Sequence, residues 1–222
     1  MGELILKKYY LYIVLTSPST AVSKIIKLVK NDEYTHAAIA LDKDLDRMYS
    51  FGRKYTYNPC LGRFKQENIN EGIYKFHKTL PGVIMEVEVS KEEYKKANSL
   101  IDHFISNSNL YKYNYKGLFP ILFSGKEPCD NRFFCSEFVY YILKESGIAD
   151  LQIARNTVRP QDLLNIRSKF IYMGNLKGMS SSNINHNTNE IEIKSAGTIN
   201  LTLCPSELPD RGINQPWQRK KA

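Results

Sequence analysis

The chain has 222 residues, of which 42% are hydrophobic, 12% aromatic and 24% charged. These are the values of an ordinary globular protein, so they exclude a chain disordered throughout, a collagen-like fibre and a disulfide scaffold. The formal net charge of +8 favours acidic partners such as nucleic acid, anionic lipid or anionic cell-wall polymers. Because the lysines are scattered along the sequence, a solvated basic surface explains the charge more simply. We therefore expect no specific nucleic-acid partner.

The sequence also bears on the cellular compartment. No apolar stretch approaches the roughly 20 residues of a membrane-spanning helix, the longest covering residues 9–15. No basic-then-apolar leader with a small-residue cleavage site is visible. Four cysteines without regular spacing fit a reducing compartment better than a secreted, disulfide-bonded fold. We expect a cytoplasmic chain without a transmembrane segment.

The first half of the chain contains several β-rich segments. Tyr9–Thr16 is apolar and aromatic, which predicts a buried strand. Apolar residues at helical spacing over residues 22–29 predict a helix after it. Residues 34–41 and 47–52 predict two strands with a polar link between them. Residues 83–89 alternate between apolar and acidic side chains and predict a further strand.

Two helices are predicted in the second half. Ser90 and Glu93 have the spacing of a capping box and predict the start of a helix that runs to about residue 107. Residues 134–146 have apolar residues on one side of a second helix, which Gly147 ends. A short helix at residues 160–162 and a strand at residues 170–173 follow.

The composition changes near residue 175, where polar low-complexity sequence begins. We therefore predict one domain over residues 1–174 and a polar, flexible C-terminal tail over residues 175–222. The chemistry is expected in the first of these two parts.

Cys135 and His36 are the strongest candidates for catalytic residues. Cys135 lies in the first turn of a predicted helix, where unpaired N–H groups and the helix dipole stabilise a thiolate and can bind an oxyanion. His36 lies early in a strand of small and aliphatic residues, which leave room beside its ring. Together a thiol and an imidazole form the nucleophile–base pair of a cysteine hydrolase. The alternatives are a buried apolar cysteine and a core histidine with satisfied hydrogen bonds.

The sequence offers little support for a metal or a cofactor. The cysteines and histidines do not have the spacing of metal ligands, and no glycine-rich phosphate-binding loop is visible. We therefore expect neither.

Three segments, taken in their order along the chain, resemble a known family. They are YTHAAIAL at residues 34–41, MYSFGRK at residues 48–54 and FCSEFV at residues 134–139. They resemble the circularly permuted, papain-like branch of the NlpC-type peptidases and amidases, to which YiiX-type proteins and lecithin–retinol acyltransferases are related. The resemblance spans about residues 8–174. It implies an α+β, permuted papain-like fold, in which the nucleophile helix packs against a central antiparallel sheet.

The resemblance also implies roles for individual residues. Cys135 matches the nucleophile and His36 the general base. The third residue of the family, which orients the imidazole, falls on Ser50. A serine brings no charge, so it would stabilise an imidazolium less than a carboxylate does. The residues expected to bind substrate are Tyr49, Arg53 and Tyr113.

These residues predict a thiol hydrolase, that is a cysteine peptidase or amidase, or an acyltransferase. Cys135 would form an acyl-enzyme from an amide, ester or thioester, and the relatives suggest a cell-wall peptide or a lipid acyl group. One alternative is a catalytically weak binding module on the same fold, which the uncharged Ser50 favours. Another is a basic nucleic-acid-binding protein, whose mark would be binding with a steep salt dependence.

Overall fold

The computed structural model describes residues 7–18, 32–53, 62–72, 74–113 and 131–179. Within these residues, eight strands form one sheet in the order β7-β6-β4-β3-β2-β1-β5-β8. Neighbouring strands are antiparallel except for β6 and β7, which are parallel. The strands are β1 (Tyr9–Thr16), β2 (His36–Ala40), β3 (Met48–Arg53), β4 (Gly62–Glu67), β5 (Pro81–Val89), β6 (Lys112–Tyr113), β7 (Arg132–Phe133) and β8 (Lys169–Asn175).

The described helices are α1 (Lys91–Ser106), α2 (Cys135–Glu145) and the short 3₁₀ helices Tyr74–Phe76, Arg155–Thr157, Pro160–Asn165 and Leu176–Gly178. Helices and an antiparallel sheet together confirm the α+β class. The predicted capping box at the start of α1 is present, because Ser90 Oγ accepts the Glu93 N–H at 3.1 Å and Glu93 Oε2 accepts the Ser90 N–H at 2.7 Å. Gly147 follows α2 with a φ of 82°, a left-handed conformation that favours glycine and ends the helix. None of the described helices is long and apolar enough to span a bilayer.

All five predicted strands are present. β1 has its predicted bounds, and β2, β3, β5 and β8 overlap the segments predicted for them. Three strands were not predicted: β4, β6 and β7. Each is short or mainly polar, and each is a strand because of its neighbours in the sheet. The helix predicted at residues 22–29 and most of the predicted tail lie outside the described residues.

An aromatic cluster joins α1 and α2 to one face of the sheet. Its phenylalanine rings lie 5.1 to 6.0 Å apart between centroids. Such tilted and edge-on pairs add to the free energy gained by burying the rings. The cluster consists of Phe51, Phe64, Phe104, Phe133 and Phe138. It therefore fixes the helix that begins with Cys135 against β3 and β4.

A second, smaller apolar cluster covers the opposite face and includes Leu176. Leu176 is fully buried, and its N–H donates to the Leu80 carbonyl at 2.9 Å. The Asn175 side chain accepts the Leu80 N–H at 2.8 Å. The packing of the domain therefore continues past residue 174.

We expect Leu176→Ala to lower the free energy of unfolding by about 2 to 5 kcal/mol, because it leaves a cavity in this cluster. Met173→Ala is the control, since Met173 is 50% exposed and its loss should change stability by no more than about 0.5 kcal/mol. Urea unfolding of both variants measures the difference. Equal stability of the two variants would contradict the packing described for Leu176.

Candidate active site

His36 is the first residue of β2, and the strand after it is built for close packing. Its sequence is HAAIA, in which three alanines let neighbouring elements approach the strand. The register partner of His36 is Thr16, at the end of β1. The imidazole keeps 12% of its surface exposed. It is therefore almost buried, with a small part of its surface in contact with solvent.

Glu67, at the end of β4, is bonded to this imidazole. His36 Nε2 donates to Glu67 Oε2 at 2.9 Å, and the Glu67 side chain has no exposed surface. A buried carboxylate is costly unless charges and donors surround it. Its two further partners are Tyr74 and Lys65.

Tyr74 holds the same carboxylate oxygen from the 3₁₀ helix Tyr74–Phe76. Its hydroxyl donates to Glu67 Oε2 at 3.0 Å, and its ring lies edge-on to the His36 ring with 6.2 Å between centroids. Burial, followed by the negative charge of Glu67, raises the pKa of Tyr74 well above its usual value. The phenol therefore stays a hydrogen-bond donor. On the other carboxylate oxygen, Lys65 Nζ lies 3.3 Å from Glu67 Oε1.

Cys135 reaches the imidazole from the first turn of α2. Cys135 is 6% exposed, and its sulfur lies close enough to His36 to raise the pKa of the imidazole. The structure thus brings together the two residues predicted to form the catalytic pair.

The start of α2 is held by a buried ion pair. Glu137 Oε2 accepts the Phe134 N–H at 3.2 Å, and Glu137 Oε1 accepts Arg155 Nε at 3.0 Å. Ser136 Oγ donates to the Val158 carbonyl at 2.6 Å. Phe134, the N-cap residue, has no polar side chain to cap the first turn. The first-turn N–H groups have no acceptor inside the helix, and the Phe134 side chain provides none either.

The charges around His36 favour its protonated form. Burial is the largest influence and lowers the pKa of His36, but the Glu67 carboxylate and the Cys135 sulfur together outweigh it and raise the pKa to about 10. For Glu67, burial raises the pKa, and the positive charge of His36, with help from Lys65 and Tyr74, lowers it to about 2. The two residues are therefore an imidazolium–carboxylate pair at neutral pH.

The position of Ser50 corrects the role predicted for it. The described ladder between β2 and β3 joins Ile39 to Tyr49 and Ala40 to Met48. Ser50 lies beyond these pairs, fully buried, and its hydroxyl donates to the Ala37 carbonyl at 2.6 Å. It therefore ties β3 to the backbone beside His36, and Glu67 orients the ring.

Of the three residues predicted to bind substrate, the structure describes the side chain of Tyr49 alone. Tyr49 is buried in the core, where it stacks on Phe64 with 5.9 Å between ring centroids, so its placement does not support a role in a groove. The roles of Arg53 and Tyr113 concern side chains outside the described part of the structure, and they stay predictions. Among the described residues, no group of three or more His, Cys, Asp and Glu side chains could hold a metal ion.

Sequence reasoning missed Glu67 and Tyr74. Glu67 lies 31 residues from His36 in the sequence, in the segment GRFKQE, whose only aromatic or aliphatic residue is Phe64. Tyr74 lies in a three-residue 3₁₀ helix between strands. The signal for Glu67 was an acidic residue three positions after an aromatic one in the strand that follows β3. It was too weak to identify a strand.

We expect the His36–Glu67 pair to contribute to the free energy of unfolding only within a limited pH range. The folded pKa of His36, about 10, lies above its unfolded value of 6.5, so this contribution is complete below pH 6.5 and is lost as the pH rises through 10. The folded pKa of Glu67, about 2, lies below 4.5, so the contribution is complete above pH 4.5 and is lost as the pH falls through 2. Urea unfolding of the wild type and Glu67→Gln should therefore differ most between pH 4.5 and 6.5.

The matched control is Glu88→Gln, which breaks the exposed pair between Lys8 and Glu88. A surface pair contributes little, so this variant should follow the wild type at every pH. If the free energies of unfolding of the wild type and Glu67→Gln differ by the same amount at every pH, the expected pH dependence is wrong.

Gly52→Ala should disturb the site while leaving the backbone of β3 unstrained. A Cβ at Gly52 would lie 2.9 Å from Glu67 Oε1 and 3.1 Å from Lys65 Cε, so the buried carboxylate must move. We expect the pKa of His36, followed by NMR titration of its ring protons, to fall toward 6.5. Gly178→Ala is the control, because a Cβ there meets nothing within 4 Å. An unchanged His36 titration in Gly52→Ala would show that the carboxylate tolerates the displacement.

No protein-family model, curated protein or solved structure matches this chain. The function proposed below is therefore based on the contacts among Cys135, His36, Glu67 and Tyr74.

Proposed function

We propose that the chain is a cysteine hydrolase or acyltransferase on a permuted papain-like fold, which acts on an amide, ester or thioester carbonyl. The observation that carries the proposal is the His36 imidazole, which is bonded to a buried carboxylate and lies close enough to Cys135, at the start of a helix, for the sulfur to raise its pKa. Nucleophile, base and orienting acid in this order are the arrangement of a catalytic triad.

The first half of the reaction uses the proton held by His36. The Cys135 thiolate attacks the carbonyl carbon, and the oxyanion that forms is stabilised by the first-turn N–H groups of α2 and the positive end of its dipole. The His36 imidazolium then donates its proton to the departing nitrogen, oxygen or sulfur. The bond from the carbonyl carbon to that atom breaks, and the acyl group remains on Cys135.

The second half reverses the role of His36. The ring is now neutral and accepts a proton from water or from another acceptor, whose oxygen or nitrogen attacks the acyl-enzyme. The thiolate leaves and the imidazolium forms again. Glu67 stays ionised throughout, because its pKa of about 2 is far below neutral pH, and stabilises the imidazolium in both halves.

Glu67 supports an enzyme over a binding module. The case for a binding module was that Ser50 supplies no charge to the imidazole. Glu67 supplies that charge at 2.9 Å, and Tyr74 and Lys65 hold it in place. A buried imidazole, carboxylate and phenol are costly to assemble, and groups with strongly shifted pKa values are concentrated at catalytic sites.

The test is the rate at which iodoacetamide alkylates Cys135, followed by peptide mass spectrometry across pH. In His36→Gln the rate should fall by at least about tenfold at neutral pH, since the thiolate loses its imidazolium partner. Glutamine keeps an N–H donor for the buried Glu67 carboxylate, so the variant is expected to fold. Glu67→Gln should show an intermediate loss.

The control is Ser146→Ala, which removes a buried hydroxyl at the far end of α2 and should leave the alkylation rate unchanged. Folding of each variant is checked by its thermal melt. Equal rates at Cys135 in the wild type and a folded His36→Gln, or no alkylation of Cys135 in either, would contradict the proposal.

A further inference from the structure

Three basic residues lie side by side where β4, β6 and β7 meet. Lys112 is the register partner of Arg63 in β4 and of Arg132 in β7. Register partners in adjacent strands face the same side of a sheet at a spacing of about 5 Å, so the three side chains form a row about 10 Å long. We call Arg63, Lys112 and Arg132 the basic row.

The basic row has no acidic partner among the described residues. The ion pairs found among the described residues are formed by other cations, such as Arg155 with Glu137 and Arg159 with Asp162. Like charges directly opposite each other on neighbouring strands destabilise a sheet. An arrangement that brings three together is favourable when an anion binds to them.

Both ends of the basic row connect to the candidate active site. Lys65 lies two residues after Arg63 on the same face of β4, and its ammonium is 3.3 Å from Glu67. Arg132 precedes Cys135 by three residues, which limits the distance between their Cα atoms to about 11 Å. The basic row therefore lies within reach of a small molecule whose carbonyl is at Cys135.

The face on which the basic row lies is also defined. Phe64 and Phe133, the residues that follow Arg63 and Arg132, are buried in the aromatic cluster. Because side chains alternate along a strand, the basic row lies on the other face, which it shares with Lys65 and Glu67. Arg63 and Lys112 are exposed there, and Arg132 is half-buried.

We propose that the basic row binds an anionic group, phosphate or carboxylate, on the substrate whose acyl carbon reacts with Cys135. This inference rests on the proposed function and adds the chemical class of the substrate to it. Guanidinium groups bind planar carboxylates and phosphates through paired hydrogen bonds, which suits Arg63 and Arg132. A row of three charges fits a substrate with two or more negative charges.

The first test compares two alkylating reagents of nearly the same size, anionic iodoacetate and neutral iodoacetamide. Arg63→Gln, Lys112→Gln and Arg132→Gln together should lower the iodoacetate-to-iodoacetamide rate ratio at Cys135 by roughly threefold to tenfold at about 10 mM salt. The difference should vanish at about 0.5 M salt, where charges beyond a few ångströms are screened.

The matched control removes the same total charge elsewhere, through Lys91→Gln, Lys95→Gln and Lys96→Gln in α1. These lysines are exposed, and Tyr94 beside them bonds the Leu41 carbonyl, at the end of β2 opposite to His36. The control should keep the wild-type ratio. An equal drop in both triple variants would show that net charge alone attracts iodoacetate, and it would overturn the proposal.

The second test asks whether a phosphate compound shields Cys135 from iodoacetamide. Inorganic pyrophosphate represents a free phosphate compound, and phosphatidylglycerol in phosphatidylcholine vesicles represents a phosphate carried by lipid. The proposal is supported if either probe protects Cys135 in the wild type and in the α1 control but not in the basic-row variant. The probe that protects then shows whether the phosphate is free or carried by lipid. Protection by neither probe, or equal protection of all three proteins, overturns it.

The failure of the basic row and the failure of the proposed function give different results. If the His36→Gln effect on iodoacetamide holds while the reagent ratio does not change in the basic-row variant, only the substrate class is wrong. If Cys135 is indifferent to His36, the catalytic proposal fails whatever the basic row binds.

Discussion

The buried carboxylate of Glu67 is the constraint on which the site depends. With no exposed surface, it needs partners inside the protein, and it has an imidazole, a phenol and an ammonium group. Of these, the imidazole of His36 is the one whose ordinary pKa is near neutral. Glu67 therefore does two things at once: it makes the imidazolium the stable form, and it fixes the orientation of the ring through the bond to Nε2.

The fold assembles the site from both sides of the sheet. Cys135 begins a helix whose phenylalanine, Phe138, belongs to the aromatic cluster on one face. Tyr74 belongs to the smaller cluster on the opposite face. His36 lies at the open end of β2 between them. Neither apolar cluster alone positions the pair, so the site forms when both faces of the sheet have packed.

The sequence predicts those features of the fold and the site that depend on neighbouring residues, and misses those that depend on the pairing of distant strands. The capping box of α1, the glycine after α2 and the thiol in its first turn are local features, and they were predicted from neighbouring residues. Glu67 was not, because β4 is a strand through pairing with β3 and carries few apolar residues of its own. The resemblance placed the orienting residue at Ser50, in β3. The ladder between β2 and β3 is short, and the carboxylate that reaches the ring comes from the following strand, β4.

The burial of Glu67 also links the chemistry of this chain to its evolution. In an enzyme whose histidine is held by an exposed acid, a descendant can lose the histidine and keep its fold. Here an apolar residue in place of His36 leaves the buried carboxylate without its principal counter-charge or a donor in its place, a state that costs about 3 to 5 kcal/mol. Glu67 therefore restricts position 36 to residues that can donate a hydrogen bond to the carboxylate, so natural variants without such a donor should have lost Glu67 as well.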